Sequence, residues 1–217
     1  MMKDDNQHRK DLVECGHLLY QRGYCPATSG NFSVRLDSWR ILITPTGISK
    51  GDMNPEDLVV ISQEGLRRFG RRNPSSERDM HLQIYRLRPD VNAVVHAHPS
   101  LATAFACAGI ALDQPIASEF VMAVGKAPVA SYGTPGTPDL AVSLERLIPN
   151  HTAILMANHG VVTYGKDLCD ARGKMELVEH FAEIVLGTLR VGRQVWLAPE
   201  DLRKLNEAVA RYWNDGS

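Results

Sequence analysis

The fold is organised around one short stretch, residues 90–99, which read Asp90-Val91-Asn92-Ala93-Val94-Val95-His96-Ala97-His98-Pro99. Valine and alanine dominate this stretch, a pattern that predicts a buried β-strand. Because side chains alternate along a strand, His96 and His98 would point to the same face at its end. Two imidazoles on one face can bind a single metal ion, and histidine is the commonest metal ligand. A hydrogen-bonded core histidine with a chance neighbour explains the same pair, so the spacing leaves both interpretations open.

The composition fits a single domain over residues 1–217. The chain has 44% hydrophobic residues and a formal net charge of -1, from 24 Lys+Arg against 25 Asp+Glu. A domain of this size buries about 70% of its unfolded surface, so the core needs no disulfides. The balanced charge argues against a nucleic-acid partner, since such domains usually carry a clear basic excess. A small charged metabolite remains possible because a local site can bind one.

Several features predict a cytoplasmic protein with no membrane partner. The four cysteines, at positions 15, 25, 107 and 169, form no Cys-x-x-Cys pair and are typical of reduced thiols. The polar residues at the start of the chain are not followed by the apolar segment of a secretory signal. The most apolar run, residues 101–110, is far shorter than the ~20 residues that a membrane-spanning helix requires.

Hydrophobic periodicity predicts a layered domain in which helices pack on strands, of α/β/α or α+β type. Short connections between the early strands favour antiparallel pairing. Residues 67–73 are charged and are predicted as a solvated loop. The predicted helices cover residues 8–22, 77–88, 101–108, 138–147, 170–191 and 199–213. One predicted strand ends at residue 36. The other predicted strands cover residues 39–44, 58–62, 91–98, 129–131 and 152–156.

A third histidine stands in a different kind of segment. His159 lies between Asn158 and Gly160, which interrupt an apolar sequence and predict a turn that exposes the side chain. Such a histidine is often only a turn residue. Together with His96 and His98 it would complete a three-histidine metal site with an open position for substrate or water. Zinc is the expected metal, with cobalt, manganese or iron as alternatives.

A carboxylate follows two serines at the predicted start of the helix over residues 77–88. Glu77 would interact favourably with the helix dipole there, which is an ordinary role for a first-turn carboxylate. It could also act as a general acid/base beside a metal, transferring a proton to or from carbon. His81 lies four residues later on the same helical face and could support such a site.

Three small-residue turns could form an anion site. They are Ser29-Gly30-Asn31, Thr46-Gly47 and Ser75-Ser76, and ordinary turn chemistry also explains each of them. Hydroxyl groups and backbone N–H groups at turns and helix starts can bind phosphate without many cations. Three such turns in one short chain make a phosphate site a fair hypothesis. Lys50, just after the second turn, is interpreted as a solvated charge at the rim.

Five motifs, taken in order, resemble the class II aldolase/adducin family, and the resemblance covers nearly the whole chain. The motifs are Ala27-Thr28-Ser29-Gly30-Asn31-Phe32-Ser33, Ile43-Thr44-Pro45-Thr46-Gly47-Ile48, Pro74-Ser75-Ser76-Glu77, Val94-Val95-His96-Ala97-His98 and Asn158-His159-Gly160. The resemblance implies an α/β fold of three layers, α/β/α, whose central sheet is mixed and largely antiparallel. It also implies a homotetramer.

The same resemblance implies roles for individual residues. Zinc would bind to His96, His98 and His159, and Glu77 would be the catalytic residue that transfers a proton. A substrate phosphate group would bind to six residues in the three turns. These six residues are Gly30, Asn31, Thr46, Gly47, Ser75 and Ser76.

The activity implied is that of a zinc-dependent aldolase, with the greatest resemblance to members that cleave L-fuculose 1-phosphate. A ketose 1-phosphate would bind zinc through its C2 carbonyl oxygen and C3 hydroxyl group. Cleavage of the C3–C4 bond would leave an enediolate whose charge the metal stabilises as a Lewis acid. Glu77 would protonate the enediolate carbon, giving dihydroxyacetone phosphate and an aldehyde. The expected partner is therefore a small phosphorylated sugar.

One segment departs from the family pattern. The aldolases are expected to bring a tyrosine from a neighbouring subunit to the leaving C4 hydroxyl group, from the segment that matches residues 115–125. This chain has Ser118-Glu119-Phe120-Val121 and no tyrosine there. Glu119 is a candidate for the catalytic proton acceptor, and Tyr132 is another. Other reactions of the family therefore stay open, namely methylthioribulose-phosphate dehydration, pentulose-phosphate 4-epimerisation and sugar-acid-phosphate decarboxylation.

Three interpretations outside these enzymes fit less of the sequence. A non-haem iron oxygenase uses two histidines and a carboxylate, but the all-β enzymes of that kind place the carboxylate after His-x-His, whereas Glu77 precedes it. An extended His-x-His-x-Asp-His hydrolase motif would need Asp and His where Ser100 and Leu101 stand. An adducin-like interaction module without metal would have lost the histidines, and this chain keeps all three.

Overall fold

An eight-stranded β-sheet with helices on both faces forms the framework. The computed structural model describes residues 4–214, with side chains described as far as residue 208. Short 3-10 helices lie at Pro55–Asp57 and Ile148–Asn150. The helices are α1 (Asp5–Gln21), α2 (Arg78–Leu87), α3 (Ser100–Ala108), α4 (Ser118–Ala123), α5 (Pro138–Leu144), α6 (Leu168–Val191) and α7 (Pro199–Asn214). The strands are β1 (Asn31–Arg35), β2 (Arg40–Ile43), β3 (Val59–Ser62), β4 (Arg67–Phe69), β5 (Ala93–Ala97), β6 (Val129–Ala130), β7 (Ala153–Met156) and β8 (Gly160–Gly165).

The sheet is mixed but largely antiparallel, with the strand order β4-β3-β2-β1-β5-β8-β7-β6. All neighbouring strands pair antiparallel except β6 and β7, which are parallel. Short connections join β1 to β2 and β7 to β8, as expected for hairpins. The predicted pairing of the early strands is therefore confirmed.

Apolar residues cover both faces of the sheet. Val94 and Val95 are neighbours on β5 but belong to different hydrophobic clusters, because successive side chains of a strand point to opposite faces. The cluster that contains Val95 includes buried residues of α1, α3 and α6. The cluster that contains Val94 includes buried residues of α2 and α5. The predicted three-layer α/β/α fold is confirmed.

Three segments differ from the sequence prediction, and one of them is β8, which follows the predicted turn at residues 158–160 but was not among the predicted strands. Residues 67–69 were predicted as part of a loop, but they form the exposed edge strand β4, which pairs with β3. Charges are common on edge strands because they discourage pairing with other chains. The charged composition therefore led to the prediction of a loop where a strand lies. Helix α4 was not predicted either, and it packs by stacking Phe120 on Phe181 of α6 with ring centroids 3.9 Å apart.

The cysteines agree with the prediction of reduced thiols. Cys15 and Cys25 are buried, Cys107 and Cys169 are exposed, and all four are free. No helix within residues 4–214 combines the length and the apolar character needed to cross a membrane.

Candidate active site

The candidate site lies where three neighbouring strands, β1, β5 and β8, begin or end. β1 and β8 both run antiparallel to β5, so the start of each lies beside the end of β5. Asn31 pairs with His96 in this register. His98 follows β5 directly, and His159 occupies the turn between β7 and β8. The topology therefore explains how histidines 61 positions apart in the chain (159 minus 98) meet at one place.

The three histidines predicted as metal ligands face one another. Each offers one ring nitrogen such that the three nitrogens lie within 4.8 Å of one another. Nε2 of His96 lies 3.1 Å from Nε2 of His98, and the ring of His159 lies 4.8 Å from that of His96, centroid to centroid. Among the side chains described, those of residues 4–208, no other group of three or more His, Cys, Asp or Glu residues has spacing that could hold a metal.

The spacing of the donor atoms suits a tetrahedral zinc ion. With ligand distances of about 2.0–2.1 Å, the ligand atoms around such an ion lie about 3.3 Å apart. The two carboxylate oxygens of Glu77 lie 3.2 Å from Nε2 of His96 and 3.3 Å from Nε2 of His159. Each of these separations, like the 3.1 Å between Nε2 of His96 and Nε2 of His98, is close to the spacing of donor atoms that share one ion. The residues present therefore fit a divalent ion such as zinc.

Two of the histidines are in the form that binds metal. Nδ1 of His96 lies 2.9 Å from the carbonyl oxygen of Val161, a contact that assigns the ring proton to Nδ1 and leaves a lone pair on Nε2. Burial lowers the pKa of His96 to about 3 and that of His98 to about 4. Both imidazoles are therefore neutral at neutral pH, as metal binding requires.

The turn that carries His159 is sterically tight. Asn158 has a φ of 56°, in the left-handed region that asparagine tolerates better than most residues. A Cβ atom added at Gly160 would collide with Cδ2 of His98 and lie only 2.8 Å from the carbonyl oxygen of Ala97. Glycine is needed here because the turn passes directly against the end of β5.

Glu77 lies at the N-cap of α2 and faces the histidines. Its side chain is buried, and its Oε2 atom accepts a hydrogen bond of 2.8 Å from Nδ2 of Asn31. Burial alone would raise the pKa of the Glu77 carboxyl, but His96, His159 and Asn31 hold that pKa well below its ordinary range. The site therefore presents an ionised carboxylate that can coordinate a cation or accept a proton.

A cavity of about 260 Å³ lies beside the histidines. Glu77, His96 and His98 line one part of it, and all three predicted phosphate turns line another. Larger cavities of about 360 and 600 Å³ are lined by none of the predicted site residues. The predicted phosphate residues that line the 260 Å³ cavity are Gly30, Asn31, Thr46, Gly47, Ser75 and Ser76.

Backbone hydrogen bonds hold two of the turns together. The N–H group of Thr46 donates to the carbonyl oxygen of Asn73, and the N–H group of Ser75 donates to that of Thr44, both at 3.1 Å. The hydroxyl oxygen of Ser75 accepts a hydrogen bond from the N–H group of Glu77 at 3.2 Å. Ser75 therefore also supports the start of α2, although the N-cap residue itself is Glu77 and not the serine that the sequence predicted.

Ser29 is a candidate site residue that the prediction omitted from the phosphate set. Its hydroxyl group is buried, lines the cavity and has no hydrogen-bond partner among the described residues. The small-residue turn at residues 29–31 was the available signal. Next to it, Gly30 has a φ of 77°, and a Cβ atom there would lie 2.8 Å from Sγ of Cys25. The backbone of this turn is therefore packed directly against the buried Cys25.

Lys50 is not at the rim, as the sequence suggested, but is 1% exposed. Its Nζ atom donates to the carbonyl oxygens of Ile48, at 2.9 Å, and Thr28, at 3.3 Å. Burial lowers its pKa. No carboxylate within residues 4–208 forms an ion pair with it. The lysine thus lies behind two of the turns with only neutral partners.

The two candidates for a second proton-transferring group lie elsewhere in the chain. Glu119, on α4, is exposed and does not line the cavity. Tyr132 is 59% exposed and does not line it either. The fold of one chain therefore does not bring either side chain to the histidines, and the role of Glu119 stays a prediction.

The layered fold and the histidine cluster together define the architecture of the class II aldolases. Residues 10–186 match the family described as Class II Aldolase and Adducin N-terminal domain, and the chain belongs to that family. The family membership predicted from the five motifs is confirmed.

Relatives with different activities resemble the chain. It is 40% identical over 185 residues to the 3-oxo-tetronate 4-phosphate decarboxylase of Haemophilus influenzae, covering 83% of this chain and 87% of the relative. It is 36% identical over 177 residues to the L-fuculose phosphate aldolase of Methanococcus maripaludis, covering 80% and 93% respectively. A solved L-fuculose 1-phosphate aldolase superposes with a TM-score of 0.85 at 33% identity, covering 93% of this chain and 95% of that chain.

Proposed function

We propose that the protein is a metal-dependent carbon–carbon lyase that decarboxylates a 3-oxo-tetronate 4-phosphate or a closely similar sugar-acid phosphate. The observation that carries the proposal is a cluster of three imidazoles and one carboxylate beside a cavity that is also lined by hydroxyl-rich turns. The 40% identity to a decarboxylase supports this choice of reaction. Aldol cleavage of a ketose 1-phosphate, predicted from the sequence, is the second candidate because the aldolases are also similar.

His96, His98 and His159 would hold a divalent ion, and zinc is the expected metal. When bound, the ion would act as a Lewis acid that draws electron density from a substrate oxygen. The phosphate group would bind at the six predicted turn residues. The hydroxyl groups of Ser29 and Ser76 would be donors there, and the buried charge of Lys50 would lie behind them.

The decarboxylation needs one proton-transferring group. In a 3-oxo-tetronate the carboxyl carbon C1 is attached to C2, which is next to the C3 ketone. Breaking the C1–C2 bond releases CO2 and leaves the electron pair on C2, delocalised onto the C3 oxygen. Glu77 then delivers to C2 a proton that comes ultimately from water. The product is dihydroxyacetone phosphate.

Aldol cleavage would need a second group. The proton of the hydroxyl group on the leaving carbon has to be removed, whereas CO2 leaves without losing a proton. Glu77 is the only carboxylate among the described residues that line the cavity. An aldolase would therefore need Glu119, Tyr132 or a group from a neighbouring subunit. The single carboxylate favours decarboxylation.

The test compares two substrates with the zinc-loaded protein. Both 3-oxo-tetronate 4-phosphate and L-fuculose 1-phosphate would yield dihydroxyacetone phosphate, which can be followed by coupled reduction, but only the acid can release CO2. We expect equal amounts of CO2 and dihydroxyacetone phosphate from the acid, and no product after chelation of the metal. Glu119→Gln should leave this rate unchanged.

Two other outcomes would change the conclusion. Turnover of L-fuculose 1-phosphate alone, slowed by Glu119→Gln, would establish the second candidate and the predicted role of Glu119. No product from either substrate with fully metal-loaded protein would contradict both.

We also propose that the protein acts as a homotetramer, as the family resemblance implied, and that it does so in the cytoplasm, as its cysteine usage predicted. Sedimentation velocity of the purified protein would test the assembly, since a species with four times the mass of the chain is expected. A purely monomeric protein would contradict it.

A further inference from the structure

A ladder of buried polar side chains runs from Glu77 into the protein. Asn31 contacts both Glu77, at 2.8 Å, and Nε2 of His81, at 2.6 Å. The hydroxyl group of Ser33 lies 2.7 Å from Nδ1 of His81 and 2.8 Å from the hydroxyl group of Tyr85. We call these five residues the polar ladder, and each of them is less than 9% exposed.

The contacts continue along the ladder because its helix side and its strand side repeat at similar distances. Glu77, His81 and Tyr85 follow one another at intervals of four residues in and just before α2. Asn31 and Ser33 alternate on one face of β1. Four helical residues rise about 6 Å, and two strand residues advance about 6.8 Å. The helix and strand therefore stay in step along the ladder.

The carboxylate sets the direction of every hydrogen bond in the ladder. An ionised carboxylate only accepts, so Asn31 presents its amide nitrogen to Glu77 and its amide oxygen to His81. His81 then donates through Nε2 and, as a neutral ring, accepts through Nδ1. Burial lowers the pKa of His81 to about 4, which keeps the ring neutral at neutral pH. Ser33 therefore donates to His81, and Tyr85 donates to Ser33.

We propose that His81 is a positioning residue that holds the Glu77 carboxylate against the histidine cluster by fixing the orientation of the Asn31 amide. The inference rests on the proposed role of Glu77 in proton transfer. Without the His81 donor, the buried oxygen of the Asn31 amide would lack a partner, and an amide that turns to find one would withdraw its nitrogen from Glu77. The Asn31 amide nitrogen has two N–H groups, so it can hold Glu77 with one of them while the other stays available to a phosphate group.

Two substitutions separate this role from a general structural one. In His81→Gln the amide nitrogen reaches approximately the position of Nε2, so the donor to Asn31 is kept. In His81→Asn the shorter side chain reaches only the position of Nδ1, so the contact with Ser33 can persist while that donor is lost. His151→Asn is the control, because His151 bonds to the carbonyl oxygen of Leu147 and is not part of the ladder.

The readout isolates the proton transfer at Glu77. Zinc-loaded variants are incubated with dihydroxyacetone phosphate in D2O, and exchange of the carbon-bound hydrogen is followed by NMR, which requires neither CO2 nor an aldehyde. Metal content is measured on the same samples, and crystal structures of the two His81 variants record the orientations of Asn31 and Glu77. Supporting residues of this kind typically change activity by about 10- to 100-fold.

We expect His81→Asn to slow the exchange by about 10- to 100-fold, with full metal content and a displaced Glu77 carboxylate. His81→Gln should stay within a few-fold of the unmodified protein, and His151→Asn should not differ from it. Normal exchange in His81→Asn, or an undisplaced Glu77 in its crystal structure, would overturn the inference. No exchange in the unmodified protein would instead refute the proposed function, and the crystal structures would still decide the role of His81.

Discussion

The two ends of the cavity are built in different ways. At the histidine end, side chains from β1, β5 and the N-cap of α2 contact one another directly, as between Asn31 and Glu77. At the phosphate end, backbone hydrogen bonds tie two of the three turns together, and the buried Lys50 side chain bonds to the carbonyl oxygens of Thr28 and Ile48. Regular elements fix side-chain positions more accurately than loops do. The comparison indicates that the proposed chemistry lies at the ends of regular elements, whereas the proposed anion binding lies on the turns.

The largest expected effect concerns the histidine end. His98→Ala removes one of the three proposed ligands, so we expect loss of tightly bound zinc and a fall in turnover of at least about 1000-fold, which corresponds to about 4 kcal/mol. Metal content after dialysis and the rate of substrate cleavage would be measured together. His180→Ala, at an exposed position on α6, is the matched control. A variant that loses its zinc but keeps its turnover would refute the metal-dependent mechanism.

A smaller effect is expected behind the phosphate turns. Lys50→Met removes a buried charge near the proposed anion, so we expect KM to rise about 10-fold, about 1.4 kcal/mol, with little change in kcat. Lys50→Gln removes the charge but keeps an N–H donor, and a similar rise in KM would show that the charge matters. Lys10→Met, at an exposed position, is the control. An unchanged KM in both Lys50 variants would contradict this role.

Much of the histidine end was predictable from the sequence. The alternation in residues 90–99 predicts a strand that places His96 and His98 on one face, and β5 covers Ala93–Ala97 with His98 directly after it. The glycine after His159 marked a turn, and β8 begins there. The polar ladder also left a signal, because Glu77, His81 and Tyr85 recur every four residues. These features depend on local spacing, which a sequence displays directly.

The burial of Lys50 was not predictable in the same way. A lysine beside a glycine-rich turn normally stays in water, since an unpaired buried charge is costly. The buried Lys50 donates hydrogen bonds to the carbonyl oxygens of Thr28 and Ile48. These two residues are 20 positions apart in the chain (48 minus 28), and only the fold brings them together. The strand β4 escaped prediction for a related reason, because only its pairing with β3 distinguishes it from a charged loop.

The smallest expected effect tests a single donor at the phosphate end. Ser29→Ala removes the unpartnered buried hydroxyl group, so we expect KM to rise about fivefold, in line with one hydrogen bond of ~1 kcal/mol. Binding of inorganic phosphate by calorimetry should weaken to the same degree. Ser143→Ala is a suitable control because its hydroxyl group bonds locally to the carbonyl oxygen of Leu140. Equal phosphate affinity in Ser29→Ala and the unmodified protein would exclude Ser29 from the site.

The most direct test of the central claim is Glu77→Gln, with zinc content, phosphate affinity and turnover measured on one preparation. The three histidines alone can hold a metal, and the turns do not depend on the Glu77 charge. The account therefore predicts that zinc and phosphate still bind while turnover falls by at least about 1000-fold, about 4 kcal/mol. Turnover close to that of the unmodified protein would show that Glu77 is not the proton-transferring group.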